Sequence, residues 1–190
     1  NFLNQRKNID FFIELEGEYG MVDLIKRLCD YNFNFDVLKN NSEKMINTTY
    51  SLQNTIISGP IDRIKDINTV PSPYFSGSLD EFFNMPLIPM LETTRGCPFS
   101  CTFCADGLAS KNRVNRYESE RTRDELAYIV KRVRDIDELI VTDLNFGMYK
   151  QDIITAKEIA KIQKTYSYPR MLSASSGKNM PKRIIEVASI

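Results

Sequence analysis

Apolar and polar positions along this chain follow two different rhythms. Near the N-terminus, NIDFFIE (residues 8–14) gathers Ile9 and the apolar residues 11–13 into one short run, which predicts a short buried strand. EGEYGMVDLIKRL follows, with Val22, Leu24, Ile25 and Leu28 near helical spacing. Together they predict one βα unit with Glu16, Gly17 and Glu18 at its turn. Two roles remain open for Glu16 and Glu18: negative charge against the helix macrodipole, or part of a binding loop.

Residues 36–69 are less regular, with Asn and Ser gathered at KNNSEK and NTT. Short β-rich pieces such as NTIISG predict a hairpin there. Prolines then punctuate INTVPSPYFSG and MPLIP, the composition of a connecting stretch. A boundary is expected near Phe83.

From Leu87 the second rhythm begins. LIPMLET predicts a strand. Thr122-Arg-Asp-Glu125 has the form of a capping box, and Leu126, Ile129, Val130 and Val133 behind it make a helical stripe. ELIVTD predicts a second strand, and residues 152–164 a second helix with Ile153, Ala156, Ile159 and Ala160 facing inward. MLSAS predicts a third strand, and Pro181 suits the first turn of a third helix. Strand and helix alternate three times, the α/β pattern of parallel strands joined by right-handed crossovers. Three such units are too few to close a barrel and match the first half of one.

Charge narrows the partners. The 190 residues carry 25 Lys plus Arg against 25 Asp plus Glu, so the formal net charge is zero. A balanced chain has no general attraction to nucleic acid or anionic membrane. Its apolar runs fall far short of the roughly 20 residues that span a bilayer, and its N-terminus lacks the apolar core of a signal peptide. The four cysteines do not form the spaced set of a secreted disulfide framework, so a reducing, cytoplasmic setting is expected. The first residue is not Met, and the last, Ile190, falls within the amphipathic run KRIIEVASI. A piece of a longer protein is therefore expected.

The chemistry concentrates in ETTRGCPFSCTFC, residues 92–104, where Cys97, Cys101 and Cys104 form C-x3-C-x2-C in a loop after the first strand of the second rhythm. Thiolates bind soft metals: zinc, copper or iron–sulfur clusters. A structural zinc site closes four ligands, but the remaining cysteine, Cys29, lies in the first predicted helix and the chain has no histidine. A cubane iron–sulfur cluster normally takes four thiolates. Three leave one iron open to a substrate. Buried structural thiols are the alternative. For Cys29 the expected role is that of a small core residue.

C-x3-C-x2-C with an aromatic, Phe103, before its last cysteine resembles the signature of radical S-adenosylmethionine enzymes. The resemblance implies a [4Fe–4S] cluster on Cys97, Cys101 and Cys104, with S-adenosylmethionine on the fourth iron through its amino and carboxylate groups. One electron would cleave the sulfonium to methionine and a 5′-deoxyadenosyl radical. Phe103 would lie near the adenine. Where the family carries a Gly-Gly-Glu-like motif, this chain reads VTDLNFG, so Asp143 and Asn145 would accept from the methionine amino group. A plain strand-exit turn is the alternative for both. Ser175, Ser176 and Lys178, at the end of the third strand, read as surface loop.

VPSPYFSGSLDEFF followed by PLIPMLETTRGCPFSC is similar to the subgroup with an N-terminal cobalamin-binding domain. The implied organisation has three parts. Residues 1–35 would be the last βα unit of a Rossmann-like cobalamin domain, with IELEGEYG as its strand and turn, and 36–83 a linker with short β elements. Residues 84–190 would supply the first three βα units of a (β/α)6 partial TIM barrel. The subgroup implies methyl transfer to an unactivated carbon or phosphinate, a small-molecule, lipid-type or sugar-type substrate, and an electron donor such as flavodoxin or ferredoxin. Cobalamin is implied by the subgroup alone. The alternatives are ring chemistry or methylthio transfer within the radical family, or a non-catalytic metal-binding protein.

Overall fold

The structure is a computed structural model, and it describes residues 2–190. The chain divides into two compact units, Asn1–Lys65 and Asp66–Ile190. The division falls inside the stretch expected to be linker.

The first unit holds β1 (Phe12–Ile13), α1 (Gly17–Asp30), α2 (Phe35–Asn40), β2 (Thr48–Leu52) and β3 (Thr55–Ser58). The expected βα unit and hairpin are both present. However, β1 is only two residues long and, against the expectation of a buried strand, leaves Phe12 exposed; it pairs antiparallel with β2, giving the sheet order β1-β2-β3. The hairpin turns through Gln53 and Asn54, both at positive φ (47° and 64°), as a two-residue turn matched to strand twist requires. Leu24, Leu28, Leu38, Met45 and Tyr50 form the core of this unit. Leu38 and Met45 sit among Asn, Ser and Lys, which hides their periodicity in the sequence. On α1, Leu24 and Leu28 are buried while Val22 and Ile25 are exposed.

The second unit holds β4 (Met90–Leu91), β5 (Thr94–Arg95), β6 (Asn115–Arg116), α3 (Ser119–Val130), β7 (Glu138–Phe146), α4 (Lys150–Tyr166), β8 (Met171–Ser176) and α5 (Pro181–Ala188). Its parallel sheet runs β4-β7-β8, with a helix following each strand as the alternation predicted. Leu91, Leu139, Val141, Leu126, Ile129 and Ile159 share one core with Tyr74 and Tyr168. Tyr74 comes from the proline-rich stretch and donates its hydroxyl to the Met90 carbonyl, so that stretch belongs to the core of this unit. Pro181 opens α5 as expected.

One helix start differs from its signature. α3 begins at Ser119, three residues before Thr122. Thr122 lies within the helix, its N–H bonded to the Glu118 carbonyl at 3.2 Å. Glu125 pairs with Arg121 at 3.1 Å, an (i, i+4) ion pair, so its carboxylate does not reach back to cap.

Two details of β7 and its surroundings position the site. First, Leu139, Val141, Asp143 and Asn145 are all buried at alternate positions, so one column changes from apolar to polar toward the C-terminal end of the strand. Second, the register between β7 and β8 shifts between Val141 and Phe146. Such irregularities re-aim side chains next to sites, and this one spans Asp143 and Asn145.

Candidate functional site

The three clustered cysteines lie on a loop closed at its base. β5 and β6 pair antiparallel, Thr94 opposite Arg116 and Arg95 opposite Asn115, so residues 96–114 form a single excursion between the two strands of a short ribbon. Arg95 grips Glu92 with two hydrogen bonds, Nε to Oε1 at 2.9 Å and Nη2 to Oε2 at 2.7 Å. Tyr117 donates to the same carboxylate at 3.3 Å. Burial is the main cause pushing the Tyr117 phenol up to about 12, so it stays a donor at neutral pH.

Inside the loop the backbone leaves no room for side chains at two glycines. Gly96 has φ of +103°, and a Cβ there would lie 2.2 Å from the Arg113 carbonyl oxygen. At Gly107 a Cβ would lie 2.3 Å from the Cys101 carbonyl oxygen. Close approach of two backbone segments is thus built into the cysteine loop at both ends. Cys104 N–H donates to Cys101 O at 3.1 Å and Gly107 N–H to Cys104 O at 3.0 Å, which winds the second and third cysteines into consecutive tight turns.

Cys97 is buried, while Cys101 and Cys104 are half-buried. Asn145 donates from Nδ2 to Cys97 Sγ at 3.3 Å. Lys178 donates from Nζ to Cys101 Sγ at 3.2 Å. The Lys178 ammonium also stands 5.5 Å from the centre of the Phe99 ring and 5.9 Å from that of Phe103. The hydrogen bond to Cys101 holds this ammonium above its ordinary pKa; burial opposes it, and the nearby cysteines, Cys101 first, act in the raising sense. Asn145, near the end of β7, and Lys178, just beyond β8, thus each reach a sulfur of the cysteine loop, Cys97 and Cys101 respectively.

The two polar residues expected on the second strand have different surroundings. Asn145 is 2% exposed and its Oδ1 has no hydrogen-bond partner. A buried acceptor left open beside a thiol is where a ligand donor belongs. Asp143, at 1% exposed, is fully engaged. Its Oδ1 accepts from the backbone N–H groups of Thr93 (2.7 Å) and Thr94 (3.0 Å), and its Oδ2 from both threonine hydroxyls, that of Thr94 at 2.9 Å. The four acceptor positions of a carboxylate are thereby used. Burial raises its pKa, with these hydrogen bonds opposing. Asp143 thus ties the strand carrying it to the segment that enters the cysteine loop.

Phe103 is 87% exposed, an aromatic face presented to solvent. Cys29 departs from expectation. It was expected in a core, but it is exposed on α1 of the first unit, because the buried stripe runs through Leu24 and Leu28 and ends one residue short of it. Lys178, expected as plain surface loop, is exposed but reaches Cys101; the sequence signal was its place just beyond a parallel strand, where such folds gather their sites.

Among the described residues, no group of three His, Cys, Asp or Glu side chains could hold a single metal ion. A cubane cluster makes a different demand. Each of its thiolates binds a separate iron corner, so the sulfurs need not converge on one ion. The all-sulfur donor set, with the unpartnered Asn145 Oδ1 beside Cys97, suits such a cluster in its chemistry.

No family model matches the chain. It is 26% identical over 196 residues to the cobalamin-dependent radical SAM methyltransferase TokK of Streptomyces tokunonensis, covering 99% of this chain and 27% of that protein. It is 26% identical over 195 residues, with the same coverage, to a 2-(S-pantetheinyl)-carbapenam-3-carboxylate methyltransferase of Streptantibioticus cattleyicolor. The chain resembles the cobalamin-dependent radical S-adenosylmethionine enzymes. It spans about a quarter of the length of these curated relatives, 27% in each. The cobalamin-dependent S-adenosylmethionine radical enzyme OxsB, solved with aqua-cobalamin and S-adenosylmethionine bound, shares the fold at TM-score 0.58 and 20% identity, over 86% of this chain and 22% of that one. The resemblance read from the cysteine motif and from the segment before it is thus borne out. Among the described residues no helix is long and apolar enough to cross a membrane.

Proposed function

We propose that this chain belongs to an iron–sulfur enzyme that cleaves S-adenosylmethionine reductively, in the service of cobalamin-dependent methyl transfer to an unactivated carbon or phosphinate. The observation that carries the reading is the placing of Cys97, Cys101 and Cys104 on one pinned loop at the C-terminal end of a parallel strand, with the open Oδ1 of Asn145 beside them. Cys97, Cys101 and Cys104 would hold a [4Fe–4S] cluster. When bound, such a cluster supplies the electron that breaks the sulfonium bond.

The residues of the chain bind and orient. Asn145 Oδ1 would accept a hydrogen bond from the ammonium group of the methionine moiety, an exchange that replaces water by a fixed acceptor. The exposed ring of Phe103 would stack on the adenine. Asp143 would act one step back, by holding Thr93 and Thr94 and hence the entry to the loop. An unactivated carbon offers no acidic proton to a side-chain base, so the residues of this chain would supply binding and placement, and the cofactors the chemistry.

Residues 84–190 would form the first three βα units of a (β/α)6 partial barrel. In support, β8 is the outer strand of its sheet, and Met171 and Leu172 on it are 54% and 40% exposed, which leaves an edge for further strands. Residues 1–35 would be the last βα unit of a cobalamin-binding domain, and within 36–83, read from the sequence as linker, α2, β2 and β3 fold with the first unit while the stretch from Asp66 folds with the second. A flavodoxin or ferredoxin would deliver the electron, in a cytoplasm that keeps the thiols reduced.

Anaerobic reconstitution tests the reading. The full-length protein should take up about four irons and four sulfides. Ala at Cys97, Cys101 or Cys104 should abolish uptake, and Cys29→Ala should leave it intact. With reductant, 5′-deoxyadenosine should form, and substrate should raise S-adenosylhomocysteine as well. Stoichiometric zinc without iron would refute the cluster. Deoxyadenosine formation without cobalamin binding would refute the methyltransferase.

A further inference from the structure

Lys178 arrives at the cysteine loop from 77 positions along the chain. Its backbone is not left to chance. Gly177 N–H donates to the Phe146 carbonyl at 3.0 Å, fixing the residue before Lys178 to the end of β7. A Cβ on Gly177 would lie 2.6 Å from Met148 Cβ, so this close approach needs glycine. From that fixed point the side chain carries its ammonium to 3.2 Å from Cys101 Sγ and to 5.5 and 5.9 Å from the ring centres of Phe99 and Phe103. An exposed lysine free to choose would keep its head in water. Here two ring faces and a sulfur attract it to one place.

Deprotonated to hold a metal cluster, the three sulfurs would gather negative charge at one place. Three thiolates on a short loop repel one another unless a cation offsets them. A carboxylate-bearing ligand on the open position adds further negative charge. Asp106, the carboxylate of the loop, is paired with Lys111 at 3.3 Å.

We propose that Lys178 is the charge partner of the three-thiolate site, meeting the negative charge gathered there, whether of the thiolate-held cluster itself or of the carboxylate of its amino-acid ligand. This rests on the proposed reading that Cys97, Cys101 and Cys104 hold such a cluster. Lys178 acts through those groups as a positioning residue and takes no part in bond making.

The test uses the full-length protein, reconstituted anaerobically, with Lys178→Met and Lys178→Arg. Met keeps the stem without the charge, and Arg keeps the charge. Two quantities are read on cluster-loaded protein: the midpoint potential without S-adenosylmethionine, followed by electron paramagnetic resonance, and the dissociation constant of S-adenosylmethionine, from the change it makes in the same spectrum. If the cluster is the source of charge, Lys178→Met lowers the reduced-to-oxidised ratio at fixed potential about tenfold, ~59 mV for one electron. If the ligand carboxylate is the source, the potential stays and the dissociation constant rises about tenfold. In either case Lys178→Arg stays within about threefold of wild type, since the guanidinium preserves the charge but not the point geometry. Loading lost in Met but kept in Arg also supports the proposal, as a need for charge during assembly. Loading lost in both, or neither quantity moved by Met, overturns it. Wild-type protein that takes up no iron defeats the cluster reading, and the proposal with it; an intact wild-type cluster with an unaffected Lys178→Met defeats the proposal alone.

Discussion

Asp143 holds Thr94 twice, accepting its backbone N–H at 3.0 Å and its hydroxyl at 2.9 Å. The same carboxylate binds Thr93 in the same two ways. A strand that would otherwise end in a free coil is thereby fastened just before the ribbon that closes the cysteine loop.

Asp143→Asn should therefore destabilise the protein. The amide keeps one acceptor oxygen and presents two N–H groups where hydroxyl donors point, so buried donors lose partners at about 1–3 kcal/mol. The pH dependence has a definite sign. Burial raises the folded pKa of Asp143 above its ordinary value of 3.8, so the folded state binds its proton more tightly than the unfolded state. The stability this contributes is fully present below 3.8 and is lost as pH rises through the raised value. Urea midpoints against pH should show a falling component in wild type over that window, missing in Asp143→Asn. A variant with the wild-type slope would mean that another group carries it.

Asn145 tests the ligand itself. Asn145→Ala removes the open Oδ1 and the Nδ2 contact to Cys97. Affinity for S-adenosylmethionine should fall about tenfold, equivalent to ~1.4 kcal/mol for one hydrogen bond to a charged group. Iron content should remain near wild type, because no thiolate is lost. Equilibrium binding on loaded protein checks it; unchanged affinity would return Asn145 to the role of a strand-exit residue.

The sequence carried the second unit better than the first. Strands β7 and β8 and helices α3, α4 and α5 follow continuous apolar runs or regular stripes such as Leu126 and Ile129, which signal over long windows. The core of the first unit depends on Leu38, Met45 and Tyr50, which lie in apolar pieces of one or two residues, such as Val37-Leu38 and Met45-Ile46, broken by polar ones, where no window shows a period. The cysteine motif was legible because three thiols at close spacing have few other uses. The difference between Asp143 and Asn145 was not. Both are polar residues at alternate positions on one strand. Only the bonds to Thr93 and Thr94, about 50 positions away in the chain, separate the scaffold residue from the one with an open acceptor. Lys178 was similarly hidden, since its contact to Cys101 spans 77 positions.

Gly107→Ala should disturb the site through the backbone. Its Cβ would come 2.3 Å from the Cys101 carbonyl oxygen, with the Cys101 backbone nitrogen at 3.0 Å. Neither atom is the flexible end of a side chain, so the loop must move and Cys101 with it. A shift of this kind costs about 1–3 kcal/mol. Iron uptake on reconstitution should drop well below wild type, while circular dichroism of the apo-protein stays close to it. Normal uptake would show that the loop tolerates the displacement.

Phe103 separates binding from folding most cleanly. An aromatic ring that is 87% exposed contributes little packing, so Phe103→Ala should change stability by no more than about 0.5 kcal/mol. Stacking of a base on an aromatic ring, in contrast, is worth about 1–3 kcal/mol. The variant should therefore keep its melting temperature and its iron, and lose S-adenosylmethionine affinity by about fivefold or more. Two measurements on one preparation, thermal unfolding and ligand binding, distinguish the outcomes. A large fall in melting temperature with unchanged affinity would mean that another part of the full-length protein covers this ring, and that the adenine lies elsewhere.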